Sequence, residues 1–182
     1  MGATEKKDQP RWTELGRVDL RHTHADERLP QEQTVAGADT VEEALLILEH
    51  HLGFEVGVST VYLACPLGKI AAHREHLTHI VEKRLDARER YVKLALATMA
   101  DPFEIWQVEY DDGSLRHAYI GLFEGKTQML VIVTHHSGQL LWNFMHGDHK
   151  SLNKHRHGAL IFERPKKTKG EPIDGSPAPA FV

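Results

Sequence analysis

The hydrophobic pattern changes period along the chain, and the changes divide it. Residues 1–38 are polar, are interrupted by Pro10, Pro30 and Gly37, and hold no sustained repeat, so a flexible or loosely docked arm is expected there. Asp39 and Thr40 then cap a helix. Val41, Ala44, Leu45, Leu48 and Leu52 recur at helical spacing, Glu42 and Glu43 sit in the first turn where the helix dipole favours them, and Gly53 stops it. Residues 54–64 are β-branched and aromatic and predict a strand, followed by a turn at Pro66, Leu67 and Gly68. Beyond it, Leu67, Ile70, Leu77, Ile80, Val81, Leu85, Val92, Leu96 and Met99 can be laid on one apolar stripe, which predicts a long helical region. The stripe slips near Asp86 and Ala87, so a break is expected there. Asp101 before Pro102 ends the helical region, because the residue before proline is pushed out of the α region.

After Pro102 the period becomes that of strands. They are expected over residues 103–110, 115–123, 128–134, 139–145 and 159–163. Turns fall at Asp111-Asp112-Gly113, Glu124-Gly125-Lys126 and Ser137-Gly138. QMLVIVT, residues 128–134, is the most apolar and is expected at the centre of the sheet. Residues 146–158 form a polar, His-rich loop, and residues 165–182 a disordered tail. The fold class is therefore α+β, with N-terminal helices packed on a four- to five-stranded antiparallel sheet in one domain over residues 39–164.

Composition narrows the function. A chain of 182 residues that is 41% hydrophobic and 26% charged is that of a water-soluble globular protein. No apolar run approaches the roughly 18 residues of a membrane span, and the N-terminus has no secretory h-region. Cys65 is the sole cysteine, so there is no internal disulfide and no cysteine zinc cluster. The charge is uneven. Residues 1–65 carry 6 Lys/Arg against 12 Asp/Glu, whereas residues 66–169 carry 16 against 12. A basic body of this kind suits one face that meets a polyanion. There are 14 histidines, spread through the chain rather than gathered in a tag.

Three groups of residues can carry chemistry. His73, His76 and His79 recur every three residues beside Arg88 and Arg90, and imidazoles give or take protons near neutral pH. HGDHKSLNKHRHG, residues 146–158, brings Asn153, His155, Arg156 and His157 together before the last strand, and arginine offers a planar fork of donors for phosphate. Asp101 and Glu104 mark a corner where a helix stop and a buried Trp106 compete with a general-base role. Neither HExxH, GxSxG, GxxxxGK[ST] nor GxGxxG occurs.

HLTHI (His76 to Ile80), RERYV and LATMADPFEIW (Arg88 to Trp106), then YIGLF, MLVIVT and SLNKHRHGALIF (Ser151 to Phe162), follow one another in an order that resembles the phage barnase–EndoU–colicin–RelE-like nucleases of phage head-associated proteins and polymorphic toxins. The final segment is similar to an Asn-x-x-Arg-x-Gly signature. The resemblance implies helices against an antiparallel sheet and a metal-independent endoribonuclease, with no cofactor. Its substrate would be RNA, tRNA among the candidates. It also implies a cytoplasmic site of action, reached by a toxin or phage component, and an immunity protein or antitoxin as partner. In that chemistry His76 and His79 are the expected proton-transfer groups. Arg156 contacts the phosphate and Asn153 positions it, with Arg88, Arg90, His155 and Thr134 as further substrate contacts. Two other readings stay open: a nucleic-acid-binding or virion-associated module without turnover, and a zinc-dependent hydrolase using the His-rich loop.

Overall fold

The computed structural model describes residues 2–166, so the tail expected at 165–182 lies, from residue 167 on, outside the described residues. Helix α1, Val41–Leu52, forms where expected. The Thr40 side chain accepts from Glu43 N, and Gly53 closes the helix at φ 87°, a conformation glycine adopts without a steric cost. The next elements differ from expectation. Residues 68–73 do not begin a helix. Strand β1, Thr60–Cys65, turns at Pro66 and Leu67 and returns as β2, Gly68–His73, paired in antiparallel register from Thr60↔His73 to Cys65↔Gly68. Ile70 and Ala72 are buried and Ala71 half-buried, so the apparent helical stripe is a strand packed on the core.

The expected long helix is broken into short pieces. A 3-10 turn at Arg74–His76 leads into α2, Leu77–Val81, and two more turns, Arg84–Asp86 and Arg88–Tyr91, lead into α3, Val92–Ala100. The break falls where the stripe slips. Ala87 stands at φ 42°, in the left-handed region that a residue with a β-carbon rarely adopts. Four strands then form a meander, β3 Glu104–Glu109, β4 Leu115–Gly121, β5 Gln128–His135 and β6 Gln139–Gly147. After a short helix α4, His149–Asn153, strand β7, Ala159–Glu163, pairs antiparallel with β3. The β1–β2 hairpin joins the far side, where β2 runs parallel to β6 over Ile70↔Gln139 and Ala71↔Leu140. Among the described residues the sheet thus has seven strands in the order β1-β2-β6-β5-β4-β3-β7, not four or five.

One face of the sheet carries Ile105, Tyr119, Val131, Val133 and Phe144, which pack with Leu48, Leu77, Ile80 and Leu94 of the helices. The other carries Trp106, Ala118, Ile120 and Leu130, closed by Leu20, Phe103 and Leu152. Leu20 comes from the segment expected to be a flexible or loosely docked arm. Residues 2–38 run along the sheet and are part of the fold. Trp12 N donates to Arg156 O and Gly158 N to Pro10 O, while Leu29 and the chain around Phe123 exchange Leu29 N→Leu122 O and Glu124 N→Leu29 O bonds at 2.8–2.9 Å.

β6 is paired on one side along its length by β5, but on the other side β2 reaches only its first two residues. Among the described residues the rest of that edge has no strand beside it. Helix α2 and the Arg88–Tyr91 turn pack there. A bulge interrupts the β5–β6 register between Ile132 and Val133, which pair with Asn143 and Leu141 and leave Trp142 as the extra residue.

Candidate active site

The residues expected to act together separate into two places. Arg156 and Asn153 belong to a closed network. Arg156 is 1% exposed. Its Nε and Nη2 donate to the two oxygens of Glu104, each at 2.7 Å, and its Nη1 donates to Val18 O at 2.8 Å and Asn153 Oδ1 at 3.0 Å. Four of the roughly five N–H groups of a guanidinium are engaged inside the protein. Asn153 is turned inward as well: its Oδ1 also faces Leu20 N at 3.3 Å and its Nδ2 donates to Asp19 at 3.0 Å. Glu104, fully buried, further accepts from Trp106 Nε1 and Arg17. Burial alone would raise its pKa, but the hydrogen bonds and charge of Arg156, with help from Trp106 and Arg17, hold it below the usual carboxylate range. Glu104 is thus no free general base and Arg156 no free phosphate fork. Together they pin the arm, β3 and the α4–β7 connection. His155 stands next to this network, and burial keeps its imidazole pKa low.

His76, His79 and Arg88 come together elsewhere, at the bulge of β6, while Thr134 stands on β5 in register with Leu140. The Trp142 ring lies 4.9 Å from the His79 ring and 5.8 Å from that of His76, centroid to centroid. The Arg116 guanidinium lies 5.8 Å from the Trp142 ring and 4.4 Å from that of Tyr110. Arg116 shares its side of β4 with Ala118 and Ile120 and stands in register with Thr134 of β5. Held between two aromatic rings, it takes part in none of the ion pairs among the described residues. Arg88 reaches the same edge, donating from Nη1 to Asn143 Oδ1 at 2.8 Å and from Nη2 to Asp86 at 2.9 Å. The turn that carries Arg88 is anchored through Glu89, which is buried, accepts from Arg84 at 2.6 and 3.0 Å, and accepts from Ala38 N. Arg90, on that turn, is exposed.

His79 has the geometry of an oriented imidazole. Its Nδ1 is 3.2 Å from Glu82 Oε1, one turn along. A proton held on Nδ1 by that carboxylate leaves Nε2 as the ring's acceptor. His76 Nδ1 and Arg88 Nε are two of the four buried side-chain atoms without a hydrogen-bond partner among the described residues, and both belong to this cluster. Buried polar atoms are nearly always satisfied in folded proteins, so such a pair calls for a ligand or water to complete it. The cluster therefore offers imidazoles, two guanidiniums and an aromatic plane, the set needed to move protons beside an anionic group.

Sequence reasoning missed Arg116, Trp142 and Asn143. None stands in a motif, and only the β4–β5–β6 register and the bulge bring them to the histidines. It also missed His117, which is buried with Gln107 Oε1 and Gln139 Oε1 each 3.2 Å from one of its ring nitrogens, beside the Tyr119 hydroxyl and stacked on His135. No three His, Cys, Asp or Glu side chains converge as a metal-ligand set among the described residues. No helix among them is long and apolar enough to cross a membrane. No curated protein and no solved structure matches the chain. The family described as phage-Barnase-EndoU-ColicinE5/D-RelE like nuclease2 matches residues 49–163, which include α2, the Arg88 turn and every strand of the sheet. By that match, over more than half of its length, the chain belongs to this nuclease family.

Proposed function

We propose that the protein is an endoribonuclease that cleaves RNA by internal transfer at the β6 edge, and that it needs no metal for this. The observation that carries the reading is the convergence of His79, oriented by Glu82, with His76, Trp142 and Arg116, which joins no ion pair among the described residues, beside β6. In the first step His79 Nε2 takes the proton of a ribose 2′-OH, and O2′ attacks the adjacent phosphorus. The P–O5′ bond breaks as the second imidazole, His76, gives a proton to O5′. The products are a 2′,3′-cyclic phosphate and a free 5′-OH. Arg116 and Arg88 face the phosphorane, whose extra negative charge strengthens their hydrogen bonds in the transition state. Thr134, in register with Arg116, lies beside the phosphate position. DNA has no 2′-OH and does not react by this route. Arg156 and Asn153 serve as the frame that holds the sheet and arm in place.

The test is incubation with tRNA and ribosomal RNA in excess EDTA, with His79→Ala as the control. Discrete fragments ending in 2′,3′-cyclic phosphate, reduced about 10²- to 10⁴-fold in the variant, are expected. RNA that is bound in a salt-sensitive way and stays intact would make the protein a binding module. Cleavage seen only after zinc is added would move the chemistry to a metal. A protein inhibitor of the kind the resemblance implies would act by covering the β6 edge, and co-purification of such a partner with suppressed cleavage tests it.

A further inference from the structure

The edge of β6 does not end at Trp142. Four residues further along, His146 is exposed and its ring is stacked on Tyr91 at 3.8 Å with an interplanar angle of 16°. Tyr91 closes the turn that carries Arg88 and Arg90, and the Arg90 guanidinium lies 5.8 Å from its ring. Between the two aromatic positions stands Asn143, with Arg88 bonded to it. Along this edge the order is thus aromatic, cation, aromatic, cation.

The spacing of the platforms restricts what fits. A strand rises about 3.3 Å per residue, so Trp142 and His146 are about 13 Å apart along β6. Stacked bases follow one another at about 3.4 Å. Two bases resting on the two platforms therefore cannot be stacked on each other, and in a duplex neither base would present a face. A strand whose bases are splayed apart can seat one base on Trp142 and another on the outer face of His146. Its phosphates then pass Arg88 and Arg90, in the manner of single-strand binding grooves that join aromatic stacking to a cationic track.

We infer that the surface where α2 and the Arg88–Tyr91 turn meet β6 is a binding track for single-stranded RNA that extends beyond the scissile nucleotide, with Trp142 and the Tyr91–His146 pair as two base platforms and Arg88 and Arg90 as the phosphate contacts between and beside them. The inference deepens the nuclease reading and rests on it for the direction of the substrate, but the track itself can be measured without turnover. Arg88 is shared with the reaction site; His146 and Arg90 belong to the track alone.

The experiment is fluorescence anisotropy with a labelled 2′-O-methyl octanucleotide, which has no free 2′-OH to react, compared with a dinucleotide of the same chemistry and with the octanucleotide annealed to its complement. The single-stranded octanucleotide should bind at least about tenfold more tightly than either, since one stacked base contributes roughly that factor. His146→Ala should remove most of that advantage, and Arg90→Ala should weaken binding while flattening its salt dependence. Thermal melting of both variants verifies that they fold, which the exposure of the two side chains favours. Equal affinity for octanucleotide and dinucleotide, or for single strand and duplex, overturns the track. If that occurs while RNA is still cleaved, the nuclease reading stands and the track falls. Tight, length-dependent binding with no cleavage of natural RNA has the opposite meaning.

Discussion

Arg156 and Arg116 are the centres of two clusters on the same sheet: Glu104 of β3, which grips Arg156, stands opposite Ile120, four residues or about 13 Å along β4 from Arg116. Arg156 is surrounded: a buried carboxylate grips it bidentately, and a backbone carbonyl and an amide take two more donors. Arg116 is held by the Tyr110 and Trp142 side chains, and no carboxylate reaches ion-pair distance of it among the described residues; its charge is felt by the carboxylate of Asp112. One arginine is used to join parts of the chain, the other keeps its donors largely uncommitted. The difference teaches that residue type and motif position do not distinguish a structural cation from a functional one. The state of its donors does.

The comparison is broken most severely by removing Arg156. Arg156→Ala leaves Glu104 buried and charged with only Arg17 and Trp106 as partners, and loss of one member of such a pair costs about 3–5 kcal/mol of stability. Urea denaturation should show that loss, and any fall in cleavage should follow the folded fraction. A variant that melts like the parent but has lost its turnover would return Arg156 to the reaction.

Arg116→Ala makes the opposite demand. Its side chain joins no internal ion pair, so stability should change by no more than about 0.5 kcal/mol, as for other surface positions. The turnover number should fall about 10²- to 10³-fold, the effect of removing one donor aimed at developing charge. Arg116→Lys should recover only part of it, because an ammonium does not reproduce the planar fork or the stacking between Tyr110 and Trp142. Cleavage at the parent rate in Arg116→Ala would remove this residue from the site.

Trp142 sharpens the contrast by a smaller amount. Trp142→Ala removes a base platform and the ring that both His79 and Arg116 lie against, and should weaken binding of single-stranded RNA by about 1–3 kcal/mol. Trp142→Phe keeps a plane and should retain more than half of that free energy. Equal losses in the two variants would mean that the ring acts by packing rather than by stacking on a base.

How much of this was legible in the sequence follows from the range of the interactions. The meander from Glu104 to Gly147 and the last strand were readable because alternation and Gly-containing turns are local signals. The β1–β2 hairpin was not fully readable. GKIAAH contains two alanines and a lysine, which do not favour a strand, and it becomes one only because Ile70 and Ala71 find both β1 and β6. The arm was misread for the same reason: its polar composition says nothing of a single Leu20 inserted under the sheet or of bridges to residues more than a hundred positions away. At the site, His76 and His79 share a short helical segment, so their spacing revealed them. Arg116, Trp142 and Asn143 depend on strand register and on a bulge, which no spacing rule contains. Arg156 stood out by its chemistry, but its burial depends on Glu104, 52 positions away.

The mildest test concerns pH, and it reads imidazoles whose pKa burial lowers wherever they lie, His146 beside β6 included. His117 and His155 are both held below the ordinary imidazole range. Burial is the main cause for each. For His117, the Gln139 hydrogen bond opposes the shift and the His135 charge adds to it. For His155, Glu5 opposes it and His157 and Lys154 add to it. A group whose folded pKa lies below its unfolded value binds fewer protons in the folded state. The stability it supports is complete above the unfolded imidazole pKa of about 6.5 and is lost as pH falls through the folded value. Each group contributes a slope of at most about 1.4 kcal/mol per pH unit within its window. The depressed Glu104 acts on the same side but only below the unfolded carboxylate pKa of about 4.3, so any loss between pH 6.5 and 5 belongs to the histidines. Urea midpoints should therefore be level between pH 8 and about 7 and decline below about 6.5, and His117→Gln should flatten part of the decline. A midpoint that rises on acidification would mean that these imidazoles gain protons on folding, which their burial opposes.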